Sequence, residues 1–548
     1  MQKQIKMKHY WVVVLLWAVT NSAWAQEEHK KLKLTGSVQT DALLSEKDEE
    51  IGTEVGKEKF LSNTYVTLDA QSAYVDAGAR LEYKRNPLPG FESDFAYSGL
   101  TSLYVKGRYK QVELTLGSFY EQFGSGFILR SYENRSLGVD NMLCGARLLA
   151  NPLAGVKLKA FVAKQMRYGK LNNSKLYGTD VELSLNDWFS RLQRTNTYIT
   201  VGASYVRKNE ADELYLHSPL YRLRFPETVH AFDVRANMQH GAWSVLAEYA
   251  YKSQDPSYDN GYIYRNGYVG MVSGSYSKKG LSFLLQAKRS VNMSFRSERS
   301  IDGMSSFINH LPAFTMEHTY TLPALYPYAT QPLGEWAYQG TASYTFPKGT
   351  AIGGKYGTTL KLNLSYVHGI DKNTDNKEIK RGYGSAFWQW GGDVYYQDFN
   401  LQLSKKLSIN TKLNLMYMAQ RYNERVIKSE GDMITSHIFV ADVKQKLARK
   451  ITLRTELQYL TSKDASKDWA FALAELSLAP HWMLSLSDLY NIGKTKIHYY
   501  QGFITYNKGA HRLQIGYGRT RAGFNCAGGV CRYIPATKGL TLSYNYNF

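Results

Sequence analysis

Two stretches hold most of the residues that could do chemistry. Gly117 to Asn141 reads GSFYEQFGSGFILRSYENRSLGVDN, with Glu121, Arg130, Glu133, Arg135 and Asp140 set among Tyr120, Phe123, Phe127 and Tyr132. Carboxylates and guanidinium groups at this density can pair into a network, or line a constriction that holds a polar solute. A solvated loop needs no such aromatics, so the pattern predicts a folded loop, turned inward if a lumen lies beside it. The second stretch, Ser294 to Glu335, contains NHLPAFTMEHTYTLPALYPYATQPLGE and carries Pro312, Pro323, Pro327 and Pro332. Proline cannot donate to a ladder, so this is not sheet, yet its Leu, Tyr and Phe content demands a packing partner. His310, Glu317 and His318 could be drawn as a metal site, but their spacing matches no structural zinc pattern and no metal is expected. GTAIGGK at Gly349–Lys355 imitates a phosphate loop; Tyr356 stands where Ser or Thr is needed, so a glycine-rich turn is expected. No GxSxG elbow appears and no nucleophile stands out, so the expectation is no enzyme and no cofactor. Cys526 and Cys531, in CAGGVC, are expected to close a small disulfide loop, leaving Cys144 a lone thiol.

The elements that must carry these segments follow a period of two. At the end of the chain Leu540, Leu542, Tyr544, Tyr546 and Phe548 alternate with Gly539, Thr541, Ser543, Asn545 and Asn547. One face is apolar and the other small or polar, as in a strand with lipid on one side and a wet lumen on the other. Tyr544, Tyr546 and the terminal Phe548 also resemble the signal by which outer-membrane barrels are recognised for insertion. The pattern recurs: Val75, Ala77, Ala79, Leu81 and Tyr83 interleave with Asp76, Gly78, Arg80, Glu82 and Lys84; Phe232, Val234, Ala236 and Met238 interleave with Asp233, Arg235, Asn237 and Gln239. Leu360–Tyr366 and Leu453–Tyr459 do the same. Connections alternate long and short from the first strand to the last. Long ones fall near 45–60, 86–99, 121–140, 168–176, 209–226, 255–262, 294–334, 370–387, 422–432 and 522–537, with tight turns such as Ser72–Tyr74 and Lys278–Gly280 between them. This predicts an all-β, transmembrane antiparallel barrel of about 24 strands (range roughly 22–26), with periplasmic termini and long external loops. The connections near 187–196 and 346–358 are longer than that rule expects.

The N-terminus reads as a secretory signal: Lys3, Lys6 and Lys8, the apolar run Trp11–Val19, and Ala23-Trp24-Ala25 before a cleavage point. Residues 1–25 are therefore expected to be removed, leaving 26–548 as one barrel domain without a plug domain. The 43 Tyr and 44 Gly against 13 Pro suit a barrel wall and its interfaces. Loss of the three lysines takes the formal charge from +20 to +17. An exported chain does not meet nucleic acid, so lipopolysaccharide phosphates or anionic solutes are the expected counterparts. Inward Arg80, Lys84, Arg235, Lys361, Lys412 and Arg454 outnumber the inward acids Asp76, Glu82, Asp233 and Glu456 that alternation places, which predicts a basic lumen.

Taken together, YEQFGSGFILRSYENRSLGVDN and HTYTLPALYPYATQPLGE resemble an uncharacterised, porin-like family of outer-membrane barrels from the Bacteroidota. The resemblance implies a large barrel in the outer membrane of a Gram-negative bacterium and leaves the substrate open. The expected role is a channel or uptake barrel for a polar, anionic solute. The alternative is a scaffold in an outer-membrane assembly, meeting a protein partner through 294–335. Outer-membrane lipid and the barrel-insertion machinery are the other expected partners. The candidate lumen or loop site is Glu121, Arg130, Glu133, Arg135, Asp140, Arg80, Arg235 and Arg454.

Overall fold

A computed structural model describes residues 32–218, 221–301, 303–372 and 382–548. The expected signal segment, 1–25, and part of the connection near 370–387 lie outside the described residues. The main sheet has 25 strands, all antiparallel to their neighbours; without the two-residue Lys170–Leu171, which only extends one hairpin, 24 make the wall. The sheet closes on itself. The first strand, Lys33–Ser45, pairs with the second, Phe60–Gln71, and with the last, Thr537–Asn547, in the register Val38↔Tyr546 and Leu44↔Leu540. At the seam Gly36 and Phe548 exchange N–H···O bonds of 2.9 Å each. A Cβ on Gly36 would lie 2.4 Å from the Phe548 ring, so only glycine fits beneath the last side chain. Closure leaves no unpaired edge, which a wall in hydrocarbon requires.

The two faces separate as the alternation requires. Val75, Leu81, Tyr83, Phe232, Val234, Leu540, Leu542 and Phe548 are exposed on the outside, while Asp76, Arg80, Glu82, Lys84 and Asp233 are buried within. Exposed large apolar side chains strand after strand mark a lipid-facing wall. Near the turns, Trp243 packs on Tyr276 at 4.8 Å and Trp482 on Tyr506 at 4.6 Å, supplying an interfacial aromatic belt. The end with both termini carries tight turns such as 241–242 and 279–280. It also carries the longer connections 185–196, which holds the short helix Ser190–Arg194, and 347–357. The opposite end carries the long loops. Two connections there, 463–468 and 492–497, are short, which is why the sequence pattern passed over them.

The lumen is filled at the loop end. The inward face of strand Met433–Ala448 runs from exposed Lys444, through Asp442, to buried Val440, Ile438, Ser436 and Ile434. Strand Thr411–Asn423 likewise runs from Lys412 and Asn414 to buried Met416, Met418 and Gln420. Apolar side chains facing into a barrel need something to cover them. The cover is the chain's own loops: Phe123, Phe127, Ile128, Leu129, Met293, Phe295, Ile308, Phe314, Leu322 and Tyr328 join Val206, Ala231, Val269, Val367, Met418, Ile438 and Leu460 of the wall in one core. Each fully buried large side chain there stabilises the closed lumen by roughly 1.5–3 kcal/mol before the entropy of ordering the loop is charged against it.

Candidate functional site

The inserted loops define the site. Loop 120–142 leaves strand Val112–Phe119 and bends at once into the barrel. Its fold is local: Phe123 N–H donates to Leu129 O at 3.1 Å, and Ser131 N–H to Glu121 O at 2.9 Å. Phe123, Phe127, Ile128 and Leu129 are fully buried. Its tip is latched to the wall by Glu248, whose carboxylate accepts from Ser125 N at 2.9 Å and Ser125 Oγ at 2.6 Å. Its return limb is held by Arg80, which reaches in from strand Val75–Lys84 to pair with Glu82 at 2.9 Å, Glu133 at 3.2 Å and Asp140. Arg135 pairs with Glu133 at 2.6 Å and lies over the Tyr65 ring. Burial pushes the Asp140 carboxyl up to about 6, with Arg80 pulling against it and Glu133 and Glu82 adding to it. Glu82, Glu133 and Asp140 are close enough to share a cation. Arg80 pairs with all three, Arg135 with Glu133 and Lys84 with Glu82 at 2.5 Å, so three cations face three acids and the cluster is a charge-balanced anchor.

Segment 292–333 lies across the same space. Asn309 donates to Phe127 O at 3.0 Å and Met293 O at 2.8 Å, and Arg130 N–H donates to Ile308 O at 2.8 Å, so the two loops are bonded to each other. The wall then receives it strand by strand. His318 Nε2 meets Asp398 at 2.7 Å, Tyr320 OH donates to Asp442 at 3.2 Å, Leu322 N–H to Gln458 at 2.8 Å, and Gln420 Nε2 to Tyr326 O at 3.1 Å. Lys288 donates to Pro312 O and pairs with Glu335 at 2.9 Å. His318 is thus held at Asp398, while His310 and Glu317 both lie against the hairpin tip at Gly528, so the three do not converge as one ligand set. Leu311, Phe314, Leu322, Leu325 and Tyr326 are buried inside the barrel and present no surface to an outside protein.

The candidate residues sort into separate clusters. Arg80, Glu133, Arg135 and Asp140 meet. Glu121 stands apart, between Lys159 at 2.9 Å and Arg147 at 3.4 Å. Arg130 lies over Tyr132 at the junction of the loops. Arg235 pairs with Asp180 at 2.8 Å and Asp233 at 3.3 Å, and Arg454 with Asp442 at 3.1 Å and with Glu456. The expectation of a basic lumen is thus narrowed. Arg80 is matched by Glu82, Glu133 and Asp140, Lys84 by Glu82, Arg235 by Asp180 and Asp233, and Arg454 by Asp442 and Glu456; alternation had not assigned the inward direction of Asp180 and Asp442. What remains basic is local. Near the turns Lys406 stands opposite Lys412, Lys412 opposite Lys444, and Lys444 opposite Arg454. All four keep the inward parity of buried Asp398, Met416 and Ile438 on their strands. Like charges directly opposite one another cost stability, so this row is not there to hold the sheet.

Sequence reasoning missed Glu248, Asp398, Gln458 and Lys288, the wall residues that grip the loops. The signal present was the inward Met416, Met418, Val440 and Ile438, which break the polar half of the alternation. At the far end of the chain, hairpin Gly523–Ala527 with Val530–Ile534, closed by a Cys526–Cys531 disulfide, folds over segment 292–333. Cys144, on the wall strand Leu143–Ala150, is free.

The model of a family of unknown function (DUF6029) matches residues 6–548. No curated protein matches the sequence. Among solved structures, the siderophore receptor PirA from Pseudomonas aeruginosa is similar at 9% identity and a TM-score of 0.40, over 95% of this chain and 81% of that one. The translocation pore of the P pilus usher PapC is similar at 9% identity and 0.42, over 94% and 99%. OccK11 (OpdR) from Pseudomonas aeruginosa is similar at 10% and 0.34, over 94% and 96%. Likeness of this degree does not extend to the contents of the lumen.

Proposed function

Because the chain belongs to that family of unknown function, DUF6029, its role has to be read from its own residues, and we propose an outer-membrane uptake barrel for a polar, anionic solute, gated by two of its external loops. The observation that carries this reading is the manner of closure. The lumen is filled by segments tethered to neighbouring wall strands and fixed by side-chain hydrogen bonds such as His318–Asp398 and Ser125–Glu248, which can break without opening the wall. A barrel needing only to be solid would have no use for the like-charged row Lys406, Lys412, Lys444 on its inner face, which meets no acid among the described residues. That row supports the anionic solute, since it concentrates anions at one mouth. The exposed apolar wall supports placement in a Gram-negative outer membrane.

Planar-bilayer recordings test it. The wild-type barrel is expected to be closed most of the time. A variant with 296–330 replaced by a short Gly-Ser linker is expected to conduct with anion preference in asymmetric KCl, and K412E with K444E to weaken or reverse that preference. A correctly folded loop-shortened barrel that stays silent would overturn the channel reading. The scaffold reading would then lead, and the protein recovered with it from mild detergent would identify its assembly.

A further inference from the structure

A cavity of about 250 Å³ lies at the loop end, where four loops meet, one of them supplying Ile427 and Lys428, and nothing described so far uses it. Tyr132 comes from one loop, Phe307, His310 and Ala329 from the second, and Phe524 and Val530 from the disulfide-closed hairpin. Aromatic rings stand on several sides. The hairpin tip roofs it: Ala313 N–H donates to Gly528 O at 3.4 Å, Thr330 N–H to Gly529 O at 3.0 Å, and Gly528 N–H to Glu317. Gly528 and Gly529 have φ of +60° and +87°. A Cβ on Gly528 would lie 3.3 Å from the His310 ring, and one on Gly529 2.2 Å from Thr330 Oγ1. Beneath that tip two polar atoms have no hydrogen-bond partner among the described residues, His310 Nε2 and Thr330 Oγ1, and the His310 side chain belongs to a residue only 6% exposed. Buried polar atoms without partners are uncommon, and each costs roughly 1–3 kcal/mol.

We propose that this cavity is a binding site for a compact one- or two-ring aromatic molecule, neutral or anionic, with a hydrogen-bonding edge that meets His310 and Thr330 when the hairpin tip lifts. Size sets the upper bound. A cavity of roughly 150 Å³ takes one benzene ring, whereas drug-sized ligands need roughly 300–1,000 Å³. Charge disfavours a cation: burial first, then Arg130 and Lys288, keep the His310 imidazole neutral, and Lys428 lines the cavity. The Cys526–Cys531 link ties the two strands of the tip together, so the tip acts as a lid; besides the three bonds just named, Asn525 Nδ2 donates to Ser136 O at 3.3 Å and Arg532 to Pro89 O at 3.5 Å at its flanks. The site faces the loop end, and its existence does not depend on what the barrel conducts.

Indole, a two-ring molecule with one N–H donor, is the probe. Equilibrium dialysis of radiolabelled indole against the full-length barrel in lipid nanodiscs is compared with empty nanodiscs. One saturable site per barrel is expected, at least tenfold weaker in A329W, which fills the cavity, and about tenfold weaker in H310F, which removes the polar partner. Reduction of the disulfide is expected to speed indole release. Heat-modifiable gel mobility verifies that each variant is folded, and V530F serves if A329W is not. Partition no greater than into empty nanodiscs, or unchanged binding in a folded cavity-filling variant, would overturn the proposal.

Discussion

Acid should loosen the hairpin tip through one residue. Burial, with Arg130 and Lys288 close by, lowers the His310 imidazole to about 3, against an ordinary value of 6.5. A histidine held below its ordinary pKa stays neutral in the closed form and takes up a proton on opening. The closed form is therefore fully favoured above about pH 6.5 and loses ground as the pH falls toward 3. Each unit costs about 1.4 kcal/mol, so at pH 5 opening is easier by about 2 kcal/mol, roughly thirtyfold. The groups facing His310 are Arg130 and Tyr132 from one loop, Lys288 from the wall, Lys428 at the cavity and Glu317 beneath the tip. Asp140, raised to about 6, works in the opposite sense on its own loop, since its protonation favours the closed form as the pH falls below 6. Hydrogen exchange of the Ala313 and Thr330 amides, which bond to Gly528 and Gly529, reads tip opening directly. Corrected for intrinsic rates, their opening free energy should fall by about 2 kcal/mol between pH 7.5 and pH 5, and H310F should abolish most of that change. Equal opening free energies at the two pH values, or the same dependence in H310F, would refute the assignment.

Three further outcomes follow from other parts of the structure. Phe127 is completely buried in the inserted loop, so F127A should cost about 3–5 kcal/mol of loop packing while the wall ladder stays intact; heat-modifiable mobility should persist while amides near 126–130 exchange faster, and slow exchange there would contradict the plug. R235A leaves Asp180 and Asp233 buried without their cation and should destabilise by about 3–5 kcal/mol in chemical denaturation, with R235K recovering part of the loss; an R235A barrel of wild-type stability would show that the pair is not closed in solution. At the seam, G36V forces a side chain against the Phe548 ring and deletion of Phe548 removes the two bonds to Gly36; both should lower the yield of inserted barrel in membrane fractions, and normal insertion of either would count against this closure.

The wall was legible because its rule is local. One residue shifts the side chain to the other face, so Leu540, Leu542 and Phe548, or Phe232 and Val234, announce their side of the sheet without reference to any other strand. The contents of the lumen follow no local rule. Arg235 and Asp180 sit on strands separated by Thr197–Asn209, and only the register Gly202↔Arg235 together with Glu182↔Gly202 sets them at neighbouring levels. Alternation could give the inward direction of Arg235 and Arg454 but not the acids that meet them, so the sequence suggested a basic lumen where most cations are matched. The plug was half visible. Phe123, Phe127 and Tyr132 told of a folded loop, and the prolines of 312–332 told of a packed one, but neither says against what. The missing half lay in the wall. A strand such as Met433–Ala448 places Phe439 toward lipid and Ile438 and Val440 toward the lumen, so its loop end is apolar on both faces while Lys444 at its turn end is not. A water-filled pore would not tolerate that inner face, because the apolar side chains would stay hydrated at roughly 25 cal/mol for each Å² left uncovered. Inward apolar residues grouped at one end of successive strands therefore locate a plug, and the charged row at the other end marks the part of the lumen left open to water.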